Sequence, residues 1–189
     1  METLEEITKK VRVCTQCGLH QGRTKAVPGE GDPRAEILFI GEGPGFTEDK
    51  RGRPFVGQAG KFLEEMLGMV GLKREDVFIT NVVKCRPPNN RDPSPDEINI
   101  CTRLHLEPQI ALIRPKLIVL LGRHALEKFL PGLKISRVHG QPHRGKLPDG
   151  REQLFYPLYH PAAALYREVL KQTLIEDFKR IPEILRSLA

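Results

Sequence analysis

The chain has 189 residues, 39% of them hydrophobic and 29% charged, with a formal net charge of +6. That length suits one domain with a core large enough to fold without disulfides, and the balance excludes a disordered or fibrous chain. The positive surplus favours a polyanionic partner without naming one. The N-terminal METLEEITKK is too charged for a secretory signal, and apolar runs such as Leu117–Leu121 are too short to span a bilayer. An intracellular protein with reduced thiols is expected.

Thr3 and Glu6 form a capping box that opens a helix ending near Val13, followed by Cys14-x-x-Cys17. Glu36–Gly41 (EILFIG) is a first buried strand and runs into Glu42-Gly43-Pro44-Gly45. Gly60–Val70 places Phe62, Leu63, Met66, Leu67 and Val70 on one helical stripe. Val77–Lys84 (VFITNVVK) is a second strand and leads to Cys85. Ser94 and Glu97 make another capping box, with Pro95 at the first helical position, and that helix carries Cys101 on to about Ile113. Leu117–Gly122 and Gln153–His160 are the remaining strands. A short helix, His124–Leu130, lies between them, and Leu170–Leu188 is a last helix kinked at Pro182.

The strands are apolar without alternation, as strands covered on both faces are. Alternation of strand and helix predicts an α/β fold: three α/β/α layers around a central four-stranded parallel sheet, in one domain over residues 1–189. Ligands bind such sheets beyond the carboxyl ends of the strands. Those ends are Gly41–Gly45, Asn81–Arg86, Gly122–His124 and His160–Ala163.

All four cysteines fall into one pattern, Cys14-x-x-Cys17 with Cys85 and Cys101. Four thiolates suit zinc or an iron–sulfur cluster, and spacing alone does not separate the two. The glycines around Glu42 and Gly43 permit close backbone approach to a ligand or simply a tight turn; no Walker lysine follows. Phe55, held by Pro54, offers a ring for stacking and equally a core side chain. Asn81 presents an acceptor and a donor side by side, which complements a pyrimidine edge or ties down a loop. His160 either caps a helix or donates to a developing anion.

Together these pieces resemble the uracil-DNA glycosylase superfamily, most closely family 4, its thermostable iron–sulfur branch. The matching segments are GEGPG at Gly41–Gly45, GRPFVG at Gly52–Gly57, TNVVKCRPPNNR at Thr80–Arg91 and HPAA at His160–Ala163, together with the four cysteines. The resemblance implies a [4Fe–4S] cluster on Cys14, Cys17, Cys85 and Cys101, with a structural role. It implies removal of a flipped uracil from DNA, single- or double-stranded. Phe55 then stacks on the base, Asn81 reads its edge, backbone around Glu42 and Gly43 contacts it, and His160 hydrogen-bonds the departing anion at O2.

Gly43 stands where the best-known branch carries a water-activating Asp, so Glu42 is the nearest carboxylate for that task. Glu48 is the expected wall against thymine's methyl group, and Leu165 the expected wedge into the vacated stack. Arg86 and Arg167, with Arg51, Arg53, Lys84 and Arg91, are candidates for phosphate contact. A monomer in the prokaryotic cytoplasm, at the nucleoid, is expected; no sliding-clamp partner is legible. The competing readings are a non-catalytic nucleic-acid-binding module with a four-cysteine zinc site and an iron–sulfur electron carrier. A branch that traps the sugar through a histidine in a basic insertion is disfavoured, because Cys85-Arg-Pro-Pro-Asn-Asn-Arg has no such insertion.

Overall fold

The computed structural model describes residues 2–188; the first and last positions of the 1–189 domain reading lie outside them. Its elements in chain order are α1 (Leu4–Val13), β1 (Glu30–Gly31), β2 (Ile37–Gly41), α2 (Phe46–Arg51), α3 (Gln58–Met69), β3 (Phe78–Asn81), α4 (Pro95–Cys101) and α5 (Glu107–Ile113). They continue as β4 (Leu117–Leu121), α6 (Arg123–Phe129), α7 (Ile135–Val138), β5 (His143–Lys146), β6 (Glu152–Leu158), α8 (Pro161–Ala164), α9 (Glu168–Phe178) and α10 (Ile181–Arg186). Both capping boxes form, with the amide of Glu6 donating to Thr3 Oγ1 and that of Glu97 to Ser94 Oγ. Among the described residues, no helix is long and apolar enough to cross a membrane.

One six-stranded sheet runs in the order β1-β3-β2-β4-β6-β5. The four strands predicted from the sequence form its parallel centre. The edges, β1 and β5, pair antiparallel and were not predicted. β1 has two residues, and β5 (HRGK) alternates between half-buried and exposed positions, so neither carries an apolar run.

The centre has no alternation because both faces are covered. Ile37, Phe39, Leu117, Val119 and Leu121 enter one core with Phe62, Leu63 and Met66 of α3 and Leu174 and Phe178 of α9. Leu38, Ile40, Ile118 and Leu120 enter the other with Ile110 of α5 and Leu126 of α6. A third, smaller core joins Ile7 and Val11 of α1 to Val83, Cys85 and Cys101.

Two helices differ from expectation. The helix from Pro95 to Ile113 is continuous but widens into a π turn at Thr102–Leu106. The last helix is not kinked but broken: α9 stops at Phe178 and α10 starts at Ile181, with Pro182 in its first turn. Proline lacks an amide hydrogen, which a first turn does not need and a helix interior does.

Register brings the strand ends level. Gly41 pairs with Asn81, and Leu121 with Leu158. The turns that follow therefore open on one rim of the sheet.

Candidate active site and metal centre

Gly41 ends β2 under two side chains. A Cβ there would lie 2.5 Å from Asn81 Oδ1 and 2.6 Å from the Phe55 ring, closer than real Cβ atoms approach. The absent side chain is what lets the Asn81 amide and the Phe55 ring converge. Asn81 is 2% exposed, and its Oδ1 is buried without a hydrogen-bond partner. An unpaired buried acceptor costs about 1–3 kcal/mol, so this oxygen is set for a donor from outside the chain.

Phe55 lies in the left-handed region, with φ of 49°. A non-glycine residue there costs roughly 1–2 kcal/mol and needs support. Arg74 donates to the carbonyls of Pro54 (2.6 Å) and Phe55 (2.8 Å). Glu48 Oε1 accepts from the amides of Val56 and Gly57, each at 2.9 Å. Gly60 lets the loop close, because a Cβ there would sit 1.8 Å from the Phe55 carbonyl oxygen. Phe55 is thus both a core residue, 5% exposed, and a ring at the site. Replacing Glu48 by alanine leaves two amide hydrogens without their charged acceptor. Such bonds are worth about 1.5–3 kcal/mol each; a loss of about 2–4 kcal/mol in a urea melt is expected, with Glu48→Gln losing less.

His160 follows β6 and caps α8; its Nδ1 accepts from the amide of Ala162 at 3.1 Å. That bond places the proton of the neutral ring on Nε2, which is left as a donor. The ring stacks on Phe55 at 5.5 Å between centroids. Burial pushes its pKa down to about 4, against an opposing pull from Glu48, so the ring is neutral at pH 7. The unfolded chain, with an ordinary value near ~6.5, binds more protons than the fold between those two values. The stability this neutral cap provides is complete above the unfolded pKa and lost as pH falls toward the folded one. Melting temperatures should drop between pH 6.5 and 4.5 by more than in His160→Gln.

A cleft of about 380 Å³ opens at the rim, lined among others by Glu42, Gly43, Gly122, His160 and Ala162. Phe55 and Asn81 are outside its lining, and Phe55 adjoins it through the His160 ring. Glu42 meets a residue that sequence reasoning placed at a strand end and helix start without giving it a role: His124 Nε2 lies 3.5 Å from Glu42 Oε2 and 3.4 Å from Asp92 Oδ1. Asp92 is also ion-paired with Arg123. Burial raises the Glu42 pKa, and Asp92 adds to the rise while His124 and Arg123 oppose it. The legible signal for His124 was its place just past the carboxyl end of the third strand.

The basic candidates separate. Lys84 is 1% exposed and donates to the Asn81 carbonyl (2.9 Å) and Gln109 Oε1 (2.8 Å), so it braces the Asn81 backbone and is not available to phosphate. Burial lowers its pKa to about 7. Arg53 is bound to Glu30 and Arg91 to Glu97. Arg51 and Arg167 are exposed. Arg86 is half-buried, with its guanidinium 5.2 Å from the centre of the exposed Phe46 ring. Leu165 packs partly buried against the core, whereas Tyr166 beside it is 85% exposed.

All four cysteines are free and line one enclosed cavity. Cys14 caps the end of α1, Cys17 begins the next turn, Cys85 follows β3, and Cys101 ends α4. Arg23 Nη1 donates to Cys85 Sγ (3.1 Å) and the Lys84 amide to Cys101 Sγ (3.2 Å). Burial pushes the Cys101 thiol up to about 12, so its thiolate needs a compensating cation. Four thiols lining one cavity are compatible with a metal cluster.

Comparison with known proteins agrees with this geometry. A sequence profile of the uracil DNA glycosylase superfamily matches residues 28–180. The type-4 uracil-DNA glycosylase of Sulfurisphaera tokodaii is 52% identical over 97% of this chain and 86% of its own length. That of Archaeoglobus fulgidus is 48% identical over 97% and 94%, and that of Thermotoga maritima 43% over 98% and 96%. With its strand-end pocket, its four-cysteine cavity and these relatives, the chain belongs to the uracil DNA glycosylase superfamily, in the type-4 branch.

Proposed function

We propose that this protein excises uracil from DNA by hydrolysis and leaves an abasic site. The observation that carries the reading is the orphaned, buried Oδ1 of Asn81, level with Gly41 and close to Phe55 and His160. A flipped uracil supplies the missing donor from N3–H and takes the Asn81 amide hydrogen at O4. Cytosine presents the opposite polarity at both atoms. Flipping costs on the order of a few kcal/mol, which stacking on Phe55 and these bonds offset.

The C1′–N1 bond then breaks, its electron pair leaves with the base, and the sugar becomes an oxocarbenium ion. His160 donates from Nε2 to O2, where negative charge accumulates. A neutral donor suits this step, because it stabilises the anion without a formal cation fixed in the site. Water adds to C1′ and loses a proton. Glu42, with His124 and Asp92 behind it, orients that water; the 3.5 Å and 3.4 Å approaches support this assignment. Glu48 stands as the wall beside C5. Its carboxylate is fixed by the amides of Val56 and Gly57. Glu48→Ala should gain activity on thymine, and an absence of gain would place the wall elsewhere. Arg86 and Arg167 contact phosphate, and Leu165 with its exposed neighbour Tyr166 faces the gap in the stack.

Cys14, Cys17, Cys85 and Cys101 hold a [4Fe–4S] cluster, which cross-links α1 to the segment after β3 when bound. A zinc module or an electron carrier gives no account of the orphaned Asn81 acceptor. The test is a labelled strand carrying one uracil, incubated with the protein and treated with alkali. Cleavage at uracil and not at cytosine or thymine supports the reading; no cleavage by metal-loaded protein overturns it.

A further inference from the structure

Among the described residues, the wall of the cysteine cavity contains one buried polar side chain with nothing to bind. His105 is 5% exposed, and neither Nδ1 nor Nε2 has a hydrogen-bond partner. Neutral imidazole carries one N–H whichever tautomer forms, so changing tautomer does not relieve the unpaired donor. Burial, with the nearby Lys84 cation, lowers its pKa to about 4, which keeps the ring neutral.

Its surroundings narrow the choice of partner. His105 lines the same enclosed cavity as Cys14, Cys17, Cys85 and Cys101. It lies four positions after Cys101, on the π turn Thr102–Leu106. π turns give up regular helix hydrogen bonding and are found mostly at functional sites. Of the other polar side chains of the wall, Gln16 is exposed to solvent and the rest are engaged. Arg23 is bound to the Cys14 carbonyl (2.7 Å) and Cys85 Sγ (3.1 Å), and His20 Nδ1 to the Cys17 carbonyl (2.7 Å). The Lys84 ammonium is taken by Thr80, Asn81 and Gln109. A buried water would need about two to four polar partners, and the buried side-chain acceptors left here are sulfur.

We propose that His105 donates its ring N–H to a sulfur of the cluster held by the four cysteines, as a third donor beside Arg23 and the Lys84 amide. This rests on the cluster assignment above. Hydrogen bonds to cluster sulfur stabilise the more reduced, more negative state and so raise the reduction potential. His105 is a positioning and tuning residue, with no contact to DNA or base.

The experiment uses purified holoprotein whose iron and sulfide are counted first. Wild-type protein without iron and sulfide would remove the cluster assignment and this proposal together. In loaded protein, His105→Phe should lower the cluster midpoint potential measured spectroelectrochemically. It should also shrink the shift of the Fe–S Raman bands between H₂O and D₂O. His105→Gln, which keeps an N–H, should recover part of both. Wild-type potential and isotope shift in both variants would show that His105 has another partner and overturn the inference. Should His105→Phe fail to hold iron, reduced wild-type protein labelled with ¹⁵N-histidine decides by pulsed EPR. A nitrogen coupling that disappears in His105→Gln or changes in magnitude supports the bond; a coupling unchanged in that variant, or none at all, overturns it.

Discussion

Replacing His160 by alanine should lower the single-turnover rate of uracil excision by about 10²–10³-fold while substrate affinity changes little. In the proposed mechanism the His160 bond strengthens only as O2 becomes anionic, so its loss should raise the barrier and leave the ground state nearly untouched. The geometry that fixes the donor is local. Nδ1 is committed to the Ala162 amide at 3.1 Å, so the proton available to substrate is on Nε2. Because burial holds the ring neutral down to a pKa of about 4 in the free protein, wild-type kcat/KM should show no His160 limb between pH 5 and 8. A near-normal single-turnover rate in His160→Ala would remove this residue from the mechanism.

Asn81 governs the second large effect. Replacing it by leucine keeps the volume and removes both the donor to O4 and the acceptor for N3–H. Each such bond in a buried site is worth about 1–3 kcal/mol, so a fall in kcat/KM of roughly 10²–10⁴ is expected. Asn81→Asp keeps an acceptor for N3–H but meets O4 with a second acceptor, so it should lose uracil activity and become relatively better on cytosine. Equal losses on both bases in Asn81→Asp would mean that the side chain supports the loop and does not read the edge. The Lys84 bond to the Asn81 carbonyl is a backbone contact and survives either substitution, so these variants report on the amide alone.

Much of this was legible from residues alone. The four central strands follow from apolar runs whose two faces are both buried, a property each segment carries by itself. The capping boxes at Thr3 and Ser94 are four-residue signals and formed as read. The four cysteines, and the identities of Asn81 and His160 at strand ends and of Phe55 in the loop before α3, were visible because each belongs to a short motif.

What the sequence could not supply depends on residues far apart in the chain. β1 and β5 are too short and too polar to signal themselves, and exist because an edge of the parallel sheet was available to pair with. Lys84 reads as a surface charge until Gln109 and Asn81 close around its ammonium. His124 gains its meaning only when the loop bearing Asp92 and the turn bearing Glu42 reach it. Leu165 and Tyr166 are adjacent in sequence, and which one faces solvent is decided by how α8 packs on the core. Local pattern thus determined the strands, the caps and the chemistry of the pocket. Which polar groups are paired, buried or left waiting for a ligand was decided by tertiary contacts, because hydrogen-bond partners and water exclusion come from segments that sequence neighbours do not reveal.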